Sequence, residues 1–220
     1  MPVYLLDKEK LVFPPCDMAR EDGLLAIGGD LSTKRLLLAY TNGIFPWYNE
    51  DSPILWWCPR ERFVILPEEI KISKSMKKFM RKTSLTVTFN ADFAQVIHNC
   101  RKLREFNEGT WITDDMEAAY NRLHSEGYAQ SCEVWNGSEL VGGLYGVSIG
   151  RCFFGESMFS KAENASKLAL ISLAKRLLEL DFEFIDCQFH TDHLESMGGR
   201  YMSYAEYMER IRKGTGVNAF

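Results

Sequence analysis

The 220-residue chain has no apolar run near the roughly 18 residues of a membrane helix, so no spanning helix is expected. Its start, MPVYLLDKEKLVFPP, lacks the basic residues and long apolar stretch of a secretory signal. Cys16, Cys58, Cys100, Cys132, Cys152 and Cys187 never form a C-x-x-C, and several lie in apolar runs where a free thiol acts as a small core residue. These absences predict a soluble, reduced, cytoplasmic protein. There is no excess of positive charge either. With 26 Lys+Arg against 30 Asp+Glu the formal net charge is -4, so any surface for a polyanion must be a local patch. Internal repeats and low-complexity segments are missing. What remains is ordinarily globular, 46% hydrophobic and 25% charged, with enough aromatic residues (13%) for ring-lined pockets.

Residues 1–62 are rich in turns and rings: FPP, GLLAIGGDLS, GIFPWY, PILWWCPRER. A short helix is expected over Thr33 to Tyr40 behind Ser32 as N-cap, and the rest reads as a small irregular domain of extended pieces. Residues 63–220 are more regular. Helices are predicted at Ser73–Lys82, from about Asp92 to Leu103, after Thr113 in TDDMEAAYNRLHSEG, and near Tyr204–Lys213. The strongest helical pattern is NASKLALISLAKRLLEL, with Leu168, Ile171 and Leu178 at helical spacing and Asn164 as its expected cap. Strands are expected at LTVTFN, Ser131–Trp135, Glu139–Ser148 and Cys152–Phe154, with Asn136-Gly137 turning a hairpin. The order predicts an α+β fold, helices packed on a largely antiparallel sheet.

A further strand, LDFEFIDCQFH, carries Asp186 and Gln188 inside a Phe/Ile-rich run. Alternation would put Phe182, Phe184, Asp186, Gln188 and His190 on one face. An unpaired buried charge costs several kcal/mol, so this face should meet a partner or open into a cleft. Asp186 is therefore either a structural acid bonded to an Arg or helix end, or a base or electrostatic anchor. Glu156, in GRCFFGESMFSK, has two readings as well: a solvated acid in a strand-to-helix connection, or the second member of a carboxylate pair. GESMF is not a G-x-S-x-G elbow. HTDH at His190–His193 is not H-E-x-x-H, so no metal is expected. The glycines of LVGGLYGVSIG open no helix and match neither a P-loop nor a dinucleotide fold; close packing in a sheet accounts for them better, and no cofactor is expected.

KISKSMKKFMRK places Lys74, Lys77, Lys78, Arg81 and Lys82 along one side of a helix, with Met76, Phe79 and Met80 on the other. A solvated face would suffice, but a block without a single acid in an acidic protein favours a polyanion. Trp47 and Trp111 sit near glycines in loops, where an exposed indole can stack a base.

Taken together, GLLAIGGDLS, GIFPWY, LWWCPRERFV, TWITDDM, AAYNRLHSEG, EVWNGSELVGGLYGV, FFGESMFSKAENASK and IDCQ resemble the leucyl/phenylalanyl-tRNA–protein transferase family. The series runs in order from about residue 23 to residue 193. The resemblance implies a GNAT-like C-terminal domain over 63–220. It implies transfer of Leu or Phe, with Met as a further candidate, from aminoacyl-tRNA to an N-terminal Arg or Lys, which marks the acceptor protein for N-end rule degradation. It implies catalytic roles for Asp186, Gln188 and Glu156, and a side-chain pocket of Leu144, Phe153, Met158, Leu170 and Ile185. Trp47 and Trp111 would hold the tRNA 3′ adenosine, the basic helix would grip phosphates, and the protein would work as a monomer. Leu173 stands where the family's pocket can carry an aromatic. Two competing readings are an acyl-CoA-dependent GNAT enzyme, disfavoured because MFSKAENASK lacks the glycines of a pyrophosphate loop, and a non-enzymatic RNA-binding module, which leaves the three polar residues without a task.

Overall fold

The computed structural model describes residues 3–107 and 111–216, with side chains left out over 104–107. The chain begins with β1 (Tyr4–Leu6), β2 (Leu24–Gly28), α1 (Thr33–Thr41), β3 (Phe45–Pro46), β4 (Leu55–Trp57) and β5 (Glu61–Ile65). It continues through α2 (Lys74–Lys82), β6 (Thr86–Phe89), α3 (Phe93–Asn107), α4 (Asp114–Ser125), β7 (Ala129–Asn136), β8 (Glu139–Ile149) and β9 (Cys152–Ser160). Last come α5 (Ala165–Glu179), β10 (Phe184–Asp186), α6 (Asp192–Ser196), β11 (Arg200–Ser203) and α7 (Tyr204–Thr215).

Two sheets organise these elements. A small sheet in the order β1-β2-β4-β3 gives the N-terminal part more regularity than its turn-rich sequence predicts. The large sheet runs β11-β5-β10-β9-β8-β7-β6. Among the described residues its neighbours are antiparallel except β9 and β10, as expected of a largely antiparallel α+β sheet. Strand β5, absent from the sequence reading, crosses the expected 62/63 boundary and pairs with β10 and β11.

The expected caps Ser32 and Thr113 hold, and Ser73, read as the first residue of its helix, is a third cap. Ser32, Ser73 and Thr113 each accept a backbone N–H from three residues on, closing the first turns of α1, α2 and α4. The stripe Met116, Ala119, Tyr120, Leu123 on α4 is buried. Helix α5 corrects two expectations. Asn164 sits at its start in the left-handed region (φ 62°) without capping it; Ser160 Oγ reaches back to Ser166 N–H at 3.2 Å instead. Leu178 is 50% exposed, because the buried stripe of Leu168, Ile171, Ala174 and Leu177 leaves it on the outer side. The glycines of β8 are packing residues: a Cβ on Gly146 would lie 2.3 Å from the Phe154 carbonyl oxygen.

The cysteines are not all free. Cys16 and Cys58, 42 residues apart, are joined by a disulfide. Pairing of β2 with β4, extended by the Cys58 N–H bond to Gly23 O, brings the second cysteine to the first. This corrects the fully reduced expectation. No described helix is long and apolar enough to cross a membrane.

Candidate functional site

A cleft of about 330 Å³ opens over the middle of the large sheet. Its apolar wall includes Leu144 of β8, Phe153 and Met158 of β9, Leu170 and Leu173 of α5 and Ile185 of β10. Glu156, Asp186 and Gln188 line it, as do Trp47 and Trp111. All ten cleft residues expected from the sequence, together with Leu173, thus meet in one place. The five basic residues of α2 do not line it. They are exposed, and none pairs with an acid among the described residues, while Met76, Phe79 and Met80 pack on the same cluster as the cleft wall.

Asp186 ends β10 and is fully buried. The chain then turns, with Gln188 at φ 57°, so alternation stops and the two polar residues do not share a strand face as expected. They are linked differently: the Gln188 N–H donates to Asp186 Oδ1 at 2.8 Å. Arg62, equally buried on neighbouring β5, forks onto the carboxylate with Nη2–Oδ2 at 2.7 Å and Nε–Oδ1 at 3.2 Å. Tyr207 of α7 donates to Oδ2 at 2.6 Å. Four donors therefore fill the two oxygens. Burial works against the charge on Arg62, but Asp186 and Tyr207 beside it more than offset that and hold its pKa above the ordinary value.

Glu156 is not in a strand-to-helix connection. Strand β9 runs on to Ser160, and its register against β8 slips between Gly155↔Gly146 and Ser157↔Tyr145, leaving Glu156 as the extra residue of a β-bulge. Bulges re-aim a side chain next to functional sites, and this one sends the carboxyl group to two buried phenols. The Tyr40 hydroxyl of α1 lies 2.6 Å from Oε1 and the Tyr120 hydroxyl of α4 lies 2.9 Å from Oε2, both at hydrogen-bond distance. The two phenol oxygens also touch each other at 2.5 Å. The Gln188 amide lies 3.5 Å from Oε1. Strands β9 and β10 run parallel with Phe154 level with Asp186, which is why position 156 comes beside 188. Burial pushes the Glu156 carboxyl up to about 7; Asp186 adds to the rise, and the tyrosine hydroxyls and Arg62 oppose it. Burial, with Glu156 nearby, pushes both phenols well above their ordinary range, so they remain protonated.

Aromatic rings form the lip. Trp47 and Phe189, each 41% exposed, have centroids 5.3 Å apart, and Trp57 stands 5.6 Å from Trp47 on the other side. The His-rich segment borders the opening: His190, Asp192 and Glu195 hold possible ligand atoms within 4.8 Å of one another, exposed or partly so, with His190 paired to Glu195 at 2.8 Å.

Sequence reasoning missed Arg62, Tyr207, Tyr40 and Tyr120. The signal for Arg62 was a charge next to the apolar FVIL run of β5, which demands a partner if buried. The tyrosines carried none, since a phenol in a helical stripe reads as core.

The fold and the site define an α+β protein with an apolar acyl-sized cleft closed at its polar end by two carboxyl groups. The family model described as "Leucyl/phenylalanyl-tRNA protein transferase" matches residues 64–212, and that of the same family's N-terminal domain matches 29–60. The leucyl/phenylalanyl-tRNA–protein transferase of Syntrophus aciditrophicus (strain SB) is 54% identical over 214 residues, covering 97% of this chain and 89% of its own. That of Pseudomonas entomophila (strain L48) is 50% identical over 210 residues, covering 94% and 93%. The chain belongs to this family. Among solved structures, FemX aligns over 78% of this chain and 66% of its own at 12% identity, with a TM-score of 0.48.

Proposed function

We propose that the cleft moves a leucyl or phenylalanyl group from its tRNA to the N-terminal Arg or Lys of an acceptor protein. The protein is an aminoacyltransferase by family, and what supports these particular residue roles is their convergence on one cleft. The side chain of the aminoacyl group fills the apolar end among Leu144, Phe153, Met158, Leu170 and Ile185. The ester then lies at the polar end, and the terminal adenosine rests against Trp47 and Trp111. Helix α2 takes tRNA phosphates, a contact without sequence readout and sensitive to salt. The modified proteins become N-end rule substrates in the cytoplasm.

An α-amino group has a pKa of about 8, so a neutral amine is accessible near neutral pH and a strong base is unnecessary. Asp186 has no lone pair left for the amine; it acts as a fixed anion that orients Gln188 through its backbone N–H. The Gln188 amide supports the developing oxyanion. Glu156 faces the incoming amine.

Labelled leucine supplied as leucyl-tRNA, with peptides beginning with Arg or with Ala, tests the reading. Label on the Arg peptide alone is expected. Failure with both peptides, despite measurable tRNA binding, would refute it in favour of an RNA-binding module.

A further inference from the structure

Four oxygens from three groups meet behind the cleft, two of one carboxyl group and one from each of two phenols, in three mutual contacts. Each contact needs one proton between its oxygens. Two phenols supply two. If both donate to Glu156, the phenol–phenol contact has none, and two oxygens lie against each other with lone pairs facing. A third proton on Glu156 satisfies all three contacts as a ring: Tyr120 donates to Tyr40, Tyr40 to Oε1, and Oε2–H to Tyr120. The Gln188 amide, on Oε1, adds its donor to the carbonyl-like oxygen and not to the hydroxyl. Among the described residues, the charged and titratable groups facing Glu156 from the surrounding elements are Arg62 on β5, Asp186 on β10, Tyr40 on α1 and Tyr120 on α4, with Tyr145 of β8 beside Tyr120. Arg62 is already committed to Asp186, so among the described residues no other cation facing Glu156 stands ready to stabilise an anion there.

We propose that Glu156 closes the ring with Tyr40 and Tyr120 as a neutral carboxylic acid and serves as a two-way proton shuttle, with the two tyrosines as positioning residues. This rests on the aminoacyl-transfer reading above. The acceptor nitrogen attacks the ester carbonyl, forming the C–N bond and a tetrahedral intermediate with a cationic nitrogen. As the bond from carbonyl carbon to ribose oxygen breaks with its electron pair going to oxygen, one carboxyl oxygen of Glu156 takes the nitrogen's proton. The other releases its own proton to the ribose oxygen. Amide and free 3′-hydroxyl result, and Glu156 ends with the proton count it began with. A carboxylate would have to take the nitrogen's proton before it had one to give, whereas the neutral acid can give and take together; Asp186, filled by four donors, is placed for neither.

The first test is carboxyl ¹³C NMR of protein labelled at Glu Cδ, with Glu156→Gln to assign the signal, titrated from about pH 5 to about pH 9 to span the carboxylate and α-amino ranges. The Glu156 signal is expected at the shift of a neutral acid at the low end, with a midpoint displaced by Tyr40→Phe and by Tyr120→Phe. An ionised Glu156 throughout, or a midpoint indifferent to both phenols, overturns the proposal. The second test is single-turnover transfer to the Arg peptide from leucyl-tRNA whose terminal ribose carries a 2′-fluoro group, which makes the leaving oxygen less basic. The loss caused by Glu156→Gln should shrink about tenfold on this donor, as general-acid assistance to a better leaving group matters less. An equal loss on both donors overturns the shuttle while leaving aminoacyl transfer standing. No transfer by the unmodified protein on either donor would sink the functional reading and the shuttle with it.

Discussion

The two carboxyl groups of the cleft sit on adjacent parallel strands, yet their surroundings are opposite. Asp186 on β10 is met by a buried guanidinium, a phenol and a backbone N–H. Glu156 on β9 is met by two phenols and an amide. The first environment compensates a full charge; the second supplies only neutral partners in a desolvated place, and its carboxyl rises to about 7. A pair of acids with environments this different divides its labour, one as a fixed anion and one as a group that exchanges protons.

Removing the charge at Asp186 should have the largest effect on the fold. Asp186→Asn strands Arg62 as a buried cation, and urea unfolding should show a loss of about 3–5 kcal/mol. Combining it with Arg62→Met should cost less than the sum of the two single changes, since the second removes the stranded charge. An additive result would mean that the pair is not coupled.

Glu156→Gln should do the reverse, sparing the fold and slowing single-turnover transfer by about 10²–10⁴-fold, the usual worth of proton transfer by a placed group. Its stability signature has a definite sign. Between the ordinary value of 4.5 and about 7 the native state binds a proton that the unfolded chain has lost. Stability therefore falls as pH rises across that window, and Glu156→Gln should flatten this slope in thermal melts at stepped pH.

Smaller effects are expected away from the acids. Leu170→Phe, narrowing the apolar wall, should reduce phenylalanyl transfer more than leucyl transfer by about tenfold, within the 1–3 kcal/mol that a methylene-sized misfit costs. Smallest of all, Lys77→Ala should weaken tRNA binding alike for all donors and lower the slope of log affinity against log salt by about one. An unchanged slope would remove that lysine from the phosphate contact.

Much of this site was visible in the sequence, for reasons that differ by residue. Leu144, Phe153, Met158, Leu170 and Ile185 carry apolar patterns that periodicity assigns to strands or a helix, but only the motif series tied them to one pocket. Asp186 drew notice because a carboxylate in a Phe/Ile run must have a partner; that the partner is Arg62, 124 residues away in sequence, depends on a β5–β10 pairing that local pattern does not encode. The expected shared face of Asp186 and Gln188 failed because alternation holds only within a strand, and β10 ends at Asp186. Glu156 looked like a loop residue because a bulge breaks the alternation of β9 at that point. Tyr40 and Tyr120 stayed hidden in helical stripes, where the hydroxyl is silent until its neighbour is known. The disulfide between Cys16 and Cys58 was missed for the same reason: the spacing is ordinary, and the closure comes from β2–β4 pairing.

The most direct measurement is the pH dependence of single-turnover leucyl transfer to an Arg peptide, wild type beside Glu156→Gln. For the wild type the account predicts a rise as the acceptor amine loses its proton, near its ordinary pKa of about 8, set against a falling limb as Glu156 ionises from about 7 upward. In Glu156→Gln the rate is lower throughout but only rises and levels. A falling limb of the same midpoint in the variant would contradict the assignment of opposite roles to the two acids.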